Sequence, residues 1–441
     1  MERTAVRGVP DFFDFYLGRG LYVHWLSTQQ CKTLRLELIL SVPLRRPDSA
    51  RLALVARLFE RGTRRLPDMQ RLHRAVDDLY GAYFASDISI LGDRHLLHLT
   101  IETLAPRFVH PEAREELLPG ALELMRQILM EPDAEGASFN AAYVAQEKGA
   151  LQSQINSLYN DKMAYAQWRC EREMDVPKAE TLTPFGTEED VEGCDGKSLW
   201  DFHRQLLRES EVHLYISGPV DAKNVLSIAD QVQNWLPRRE IGPPRRSSLE
   251  GAQPAVLRHV FECGEVSQGK LVCGYVLQRP HTVRDYVAML LLNALWGGEG
   301  TSMLNRSVRE EKGLCYYIES QVDPLRGRCF VVAGIDRSAY RETYGEVEKS
   351  LVELQCGAID ADSWLQTRAL LAHRLAGLDD DREGLLRLNL RSHITRLPLD
   401  RSALKDHLFS LRPEEIATLA RGMAQSACFF LYGNRSAGES A

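Results

Sequence analysis

The chain has 441 residues, more than one hydrophobic core usually serves, so we expect two domains of roughly 200 residues each. Hydrophobic residues make up 44% and charged residues 26%, as in an ordinary water-soluble protein, and the net charge of -7 argues against a general role on nucleic acid or an anionic membrane. The nine cysteines are scattered singly and the N-terminal stretch has no apolar signal core, so we expect a cytoplasmic protein with reduced cysteines.

The first half of the chain mixes strand and helix patterns. Residues 20–26 and 33–42 read as strands, and in the second of these a leucine at every other position predicts a sheet with one covered face. Helical periodicity marks residues 49–60, 69–81, 112–131 and 139–174. Alternating runs at residues 95–104 and 211–220 predict two further strands.

The second half repeats this order after a charged stretch rich in proline and glycine, residues 238–251, which we interpret as an interdomain linker. The helix exits LYGAYF and LCYYIE correspond, as do the strand endings HLYISG and FFLYGN, so we predict an internal duplication. The expected domains span residues 1–237 and 252–441. Each is expected to be α+β, an antiparallel sheet with helices packed on one face.

The strongest functional pattern is a helix-to-strand corner in the second half. An amphipathic helix, SMLNRSVREEKG, ends at Gly313, which suits a left-handed helix end, and the strand CYYIESQV follows. Arg309 and Tyr316 lie at the two ends of this corner, where two polar side chains could converge on a ligand. The residue pattern alone leaves a surface arginine and a half-buried tyrosine as the alternative.

The turn WGGEGT before this helix holds three glycines, Gly297, Gly298 and Gly300. Because glycine lacks a Cβ, the turn would let a substrate backbone pass close. A tight turn between two helices explains the same glycines equally well.

The arrangement LLNxxxGGxxxSxLxxxVREExGLxY resembles the second domain of the insulinase-like (pitrilysin-type, inverzincin) metallopeptidases. In that family an arginine and a tyrosine seven residues later reach a zinc site held by the other half of the molecule. The resemblance implies that Tyr316 donates to the oxyanion of the tetrahedral intermediate and that Arg309 holds the substrate backbone. Tyr317 is adjacent to Tyr316 and could be mistaken for it.

The zinc motif of active members, H-x-x-E-H on a helix before a Gly-Thr turn, is degenerate here. By the resemblance, the segment LALVARLFERGT has Ala53 and Arg57 at two ligand positions and Ala56 at the general base, and a later helix keeps Glu147 but has Gln154 at the third ligand position. Alanine offers no lone pair and a guanidinium repels a dication. We therefore expect no metal and no other cofactor on this chain.

The small members of this family dimerise, so that one chain supplies zinc and the other supplies the arginine and tyrosine. This chain resembles the second kind over nearly its full length, and its run NDKMAYAQWR, Asn160 to Arg169, is similar to one in the bacterial partner subunits that lack the zinc motif. The role of that run stays open between a dimer contact and a packed hinge.

The resemblance implies a non-zinc subunit of a heterodimeric zinc metallopeptidase, with zinc on a homologous partner and no peptidase activity alone. Two bowl-shaped chains would close on an unfolded peptide that adds a strand to a sheet edge. A homodimer of the isolated chain stays open. Two alternatives remain: a non-catalytic scaffold or peptide-binding subunit, which would not need both Arg309 and Tyr316, and a stand-alone hydrolase with an unrecognised site.

Overall fold

A computed structural model describes residues 4–5, 12–174, 176, 183–237 and 256–433. The contacts divide the chain into two units, one formed by Met1–Ile155 and Leu182–Arg246 and the other by Asn156–Thr181 and Ser247–Ala441. The predicted linker at residues 238–251 lies outside the described residues. No helix in the described ranges has both the length and the apolar character needed to cross a bilayer.

The secondary structure interleaves strands and helices throughout. The strands are β1 Thr4–Ala5, β2 Phe13–Gly18, β3 Leu21–Ser27, β4 Thr33–Pro43, β5 Tyr83–Leu91, β6 Arg94–Leu104, β7 Ala134–Glu135, β8 Ser138–Phe139, β9 Glu211–Gly218, β10 Arg258–Gly264, β11 Gly269–Val276, β12 Cys315–Asp323, β13 Arg328–Ile335 and β14 Ala424–Gly433. The helices are α1 Arg46–Phe59, α2 Met69–Asp77, α3 Arg114–Met130, α4 Ala141–Ser157, α5 Lys162–Glu173, α6 Glu188–Glu192, α7 Gly196–Glu209, α8 Ala222–Trp235, α9 Val283–Asn293, α10 Tyr340–Gln355, α11 Ala361–Gly377, α12 Arg382–Thr395, α13 Arg401–Ser410 and α14 Pro413–Arg421.

The first unit is built on a seven-stranded sheet in the order β1-β2-β3-β9-β4-β6-β5. The alternating leucines of β4, from Leu34 to Leu40, are buried and form one core with α1, α3, α7 and α8, which confirms the covered face predicted for this strand. Strands β2 and β5 were not predicted, because neither alternates cleanly between buried and exposed residues.

The second unit repeats the strand order of the first. Its five-stranded sheet, β10-β14-β11-β13-β12, corresponds to β3-β9-β4-β6-β5, and the directions of all four pairings agree. The predicted α+β duplication is thus present. Each sheet departs from a purely antiparallel one by a single parallel pair, β3 with β9 and β10 with β14.

Helix α5 covers the second face of the five-stranded sheet. Helices therefore pack on both faces of that sheet, and not on one face as predicted. The apolar side of α5, Ala166, Cys170 and Met174, packs on residues of β11, β13 and β14. Gly274 on β11 makes the close approach possible, since a Cβ there would lie 2.8 Å from the Met174 sulfur. The division by contacts therefore places Asn156–Thr181 with the second unit, whereas the predicted boundaries kept these residues with the first.

The structure gives the run Asn160–Arg169 a packing role. Asp161 caps α5, and its side chain accepts from the backbone N–H groups of the first helical turn. Tyr165 donates from its hydroxyl to Glu262 on β10 at 2.7 Å, and Arg169 forms an ion pair with the same carboxylate at 3.2 Å. The conspicuous residues of this run thus fix α5 to the edge of its own sheet.

Candidate functional site

Arg309 lies on a π-helical segment, Asn305–Glu311, immediately before β12. Wide helical turns of this kind are rare in proteins, and those that do occur are often at functional sites. Gly313 ends the segment with φ of 62°, and the Leu314 N–H donates to the Val308 carbonyl at 3.0 Å. The predicted left-handed glycine is therefore present, and it turns the chain from the helix into the strand.

Tyr316 occupies a β-bulge at the start of β12. Cys315 pairs with Ile335 and Tyr317 with Gly334, so Tyr316 is the extra residue with no residue opposite it on β13. Bulges redirect side chains and are common beside active sites. Tyr316 is 74% exposed, so the alternative interpretation, in which Tyr316 is half-buried, is wrong. The half-buried tyrosine of this corner is Tyr317.

The bulge also displaces the predicted alternation of this strand. Tyr316 was expected on the same face as Ile318 and Ser320, which are buried. Instead Cys315 packs against the core of the second unit, and the regular alternation starts only at Tyr317. One additional residue in the pairing is sufficient to turn Tyr316 away from the core.

Arg309 is exposed close to the beginning of the strand. Burial raises the pKa of the Cys315 thiol to about 11, and the positive charge of Arg309 partly offsets this effect. Within the described residues neither the Arg309 guanidinium nor the Tyr316 hydroxyl has a hydrogen-bond or ion-pair partner. Both groups are therefore available to a ligand at this corner.

A hydrogen-bond network joins the glycine turn to β12. Asn305 donates from Nδ2 to the carbonyl of Glu299 at 3.1 Å and to that of Ile318 at 3.2 Å, and Ser320 donates to the Asn293 side-chain oxygen at 2.9 Å. These residues were not predicted to matter. Asn305 carried a usable signal, because it is a polar residue on the buried side of the helix beside Leu304 and Val308.

The three predicted glycines differ in their surroundings. A Cβ on Gly297 would lie 2.7 Å from the Ser320 backbone nitrogen, and one on Gly298 would lie 2.5 Å from the Asn293 side-chain nitrogen. A Cβ on Gly300 would meet nothing within 4 Å. Packing alone explains the first two, as the tight-turn alternative requires, and substrate binding at this turn stays a prediction.

The positions that correspond to the zinc ligands lie on α1 and α4. Ala53 and Ala56 are buried in the core of the first unit. The Arg57 guanidinium donates to the Gln154 side-chain oxygen at 2.5 Å and to Glu147 at 3.2 Å, and Arg61 donates to the other Glu147 oxygen at 2.5 Å. The structure thus brings Arg57 and Gln154 together, as ligand positions would be, and fills the space between the helices with a guanidinium.

These residues do not fit a zinc ion. Two of the four positions are methyl groups, and a third is a cation that has no lone pair to donate. The only oxygen atom at the four positions that could bind a metal is that of the Gln154 side chain, and it already accepts a hydrogen bond from Arg57. A dication would meet the fixed positive charge of Arg57, so no catalytic step on this chain can be assigned to zinc at these positions.

His95 and His98 do not replace the missing ligands. Burial lowers the pKa of His95 to about 4, and neither of its ring nitrogens has a partner among the described residues. His98 lies on the other face of β6, where its Nδ1 is 2.9 Å from a Glu37 oxygen and its Nε2 is 2.8 Å from the Ser89 hydroxyl. As the strand pattern predicts, the two imidazoles do not converge.

The chain is similar to proteins described as inactive members of a peptidase family. Residues 194–371 match the family described as Peptidase M16 inactive domain. The chain is 26% identical over 418 residues to the probable inactive metalloprotease YmfF of Bacillus subtilis (strain 168), and this similarity covers 95% of the chain and 97% of that protein.

Two solved structures share the fold. A conserved protein from Enterococcus faecalis V583 aligns with a TM-score of 0.86 at 23% identity, over 97% of this chain and 99% of that one. A peptidase M16 inactive domain from Pseudomonas fluorescens aligns with a TM-score of 0.76 at 17% identity, over 98% and 100%. The chain therefore matches the M16 inactive-domain family over residues 194–371, resembles a probable inactive metalloprotease over nearly its whole length, and shares the fold of M16-like structures.

Proposed function

We propose that this chain is the zinc-free subunit of a heterodimeric metallopeptidase, and that Arg309 and Tyr316 act in trans at the zinc of a homologous partner. One observation carries the proposal: both side chains are exposed at a bulged corner without partners among the described residues, whereas Arg57 fills the position of the metal. A chain without any catalytic role would have no reason to keep two unpartnered polar side chains at this corner after losing its metal site.

The substrate would be an extended peptide. Strand β12 is the last strand of its sheet, so within the described residues no further strand pairs with its outer edge, and the Ile318 carbonyl accepts from the Asn305 side chain. A peptide that adds to such an edge forms main-chain hydrogen bonds irrespective of most of its side chains. The exposed Glu319 and Gln321 side chains would lie beside it and contribute selectivity.

Zinc on the partner would polarise the scissile carbonyl and lower the pKa of the attacking water. On this chain, Tyr316 donates its hydroxyl proton in a hydrogen bond to the developing oxyanion, and Arg309 holds a neighbouring peptide carbonyl. A single oxyanion donor lowers the barrier by about 3 kcal/mol, which is on the order of a hundredfold in rate. The π-helical segment and the bulge set the backbone positions from which both side chains project.

A second candidate function is peptide binding without cleavage in any complex. The Bacillus subtilis relative is named a probable inactive metalloprotease, which favours a chain without hydrolysis of its own and fits both candidates. Hydrolysis by an assembled complex separates them. For either candidate we place the chain in the bacterial cytoplasm, and its nine free cysteines support that placement.

The test is reconstitution with a homologue that has an intact H-x-x-E-H motif. Peptide hydrolysis is measured for each chain alone and for the purified pair, and we expect it only in the pair. In the pair, Tyr316→Phe should lower kcat about a hundredfold. The matched control is Tyr83→Phe, which removes the hydroxyl of a 58% exposed tyrosine on β5, the equivalent strand of the first unit, and should leave kcat unchanged. Equal activity of the two variants would defeat the assigned role.

A further inference from the structure

Tyr317 lies next to the bulge and has surroundings opposite to those of Tyr316. Its ring sits against Gly334, the residue that pairs with it across β12 and β13. A Cβ on Gly334 would lie 2.5 Å from the Tyr317 Cε1 atom, so only glycine leaves room for the ring at this place. The ring therefore fills a gap in the neighbouring strand.

A third strand holds the same ring from another side. Lys270 on β11 has its ammonium group 5.4 Å from the centre of the Tyr317 ring, and it also donates to the Gln268 side-chain oxygen at 3.1 Å. Burial lowers the pKa of Lys270, and Asp161 at the start of α5 opposes the shift. Burial likewise raises the pKa of Tyr317 to about 12, with Glu319 and Asp161 adding to the effect.

We propose that Tyr317 is a positioning residue, whose ring, packed over Gly334 and beside Lys270, holds the bulge that turns Tyr316 out to solvent. On an edge strand only one neighbouring strand pairs with the bulge, and the hydrogen bonds of Asn305 and Ser320 hold β12 beyond it, so the packed Tyr317 ring adds a constraint directly beside the bulge. The ring bonds no substrate itself and acts only through the place it gives to Tyr316. The catalytic consequence rests on the proposed function, whereas the structural one does not.

The structural consequence is tested on the chain alone by hydrogen exchange of the amides at residues 315–320. Tyr317→Ala removes the ring, and we expect exchange there to rise about tenfold as the bulge becomes mobile. Tyr317→Phe keeps the ring and should exchange like wild type. Gly334→Ala pushes the ring out without altering Tyr317, so it should act like Tyr317→Ala. Wild-type exchange in both alanine variants would overturn the proposal.

The catalytic consequence is tested in the reconstituted pair. Tyr317→Ala should lower kcat about tenfold and leave KM within about twofold, because the substrate still binds while the oxyanion donor is misplaced. Tyr317→Phe, which keeps the ring, should have the wild-type kcat. A raised KM with unchanged kcat would contradict a positioning role. If the wild-type pair hydrolyses nothing, the proposed function fails, and the exchange experiment still decides whether Tyr317 holds the bulge.

Discussion

Removing the Arg57 guanidinium tests whether it has taken over the bridging place of a metal between α1 and α4. In the structure it donates to Glu147, whose side chain is 5% exposed, and to Gln154. Arg57→Met keeps most of the aliphatic length of the side chain and deletes the charge. Glu147 would then keep Arg61 as its remaining charged partner.

The expected cost follows from this geometry. Breaking a fully buried ion pair costs about 3–5 kcal/mol, because the remaining charge loses its partner. Arg57 is 30% exposed and Arg61 stays on Glu147, so we expect about 2 kcal/mol. At about 2–4 °C per kcal/mol for a unit of this size, the transition of the first unit should shift downward by about 4–8 °C.

The assay is thermal unfolding followed by circular dichroism, with Arg46→Met as the matched control. Arg46 forms ion pairs with Glu189 at 3.1 Å and with Asp190 at 3.5 Å, but its own side chain is 56% exposed, so its loss should cost less than about 1 kcal/mol. Equal shifts for the two variants would refute a bridging role for Arg57. A rise in the wild-type transition on adding zinc would contradict the conclusion that the site does not fit the metal.

Three further predictions concern α5, the core and the cysteines. Glu262→Ala removes the partner of Tyr165 and Arg169, so limited proteolysis should cut within α5 sooner than in wild type. Burial lowers the pKa of His95 to about 4 from an ordinary 6.5, so the unfolded chain takes up a proton first as the pH falls and stability is lost between those values. Between pH 6.5 and 5 the His95→Leu variant should therefore lose about 2 kcal/mol less unfolding free energy than wild type, as measured by urea unfolding. An unchanged pH dependence would contradict this assignment. Iodoacetamide should modify the exposed Cys263 and Cys356 of the native chain, as read by intact mass, whereas modification of the fully buried thiols (Cys170, Cys273, Cys329 and Cys428) would contradict the fold.

Much of the fold could be predicted because the buried strands carry their own pattern. The leucines of β4 alternate over four positions, and the two halves end in similar strands, so the duplication was visible in one sequence. The edge strands β5 and β10 were missed, because burial along β5 is irregular and β10 has no fully buried residue. Helix α5 was predicted as helix, but its docking on the sheet of the other half depends on Gly274 and Glu262, which are about a hundred residues away along the chain.

The candidate site was predicted less completely than the fold. Arg309 and Tyr316 were found by resemblance, but the bulge at Tyr316 was not, because register is decided by pairing with β13 and not by β12 itself. The degenerate metal positions follow from the resemblance, which gives their places on two helices. The ion pairs that fill them were not predicted, because Arg61 and Glu147 acquire their meaning only when α1 and α4 are side by side.

The most direct test of the account is to measure zinc content and turnover together in a reconstituted pair carrying Tyr316→Phe. We predict that the pair keeps the full zinc content of the wild-type complex, all of it on the partner, while kcat falls about a hundredfold. Zinc bound stoichiometrically by this chain alone, or turnover unchanged by Tyr316→Phe, would contradict the claim that the chain supplies the oxyanion donor and not the metal.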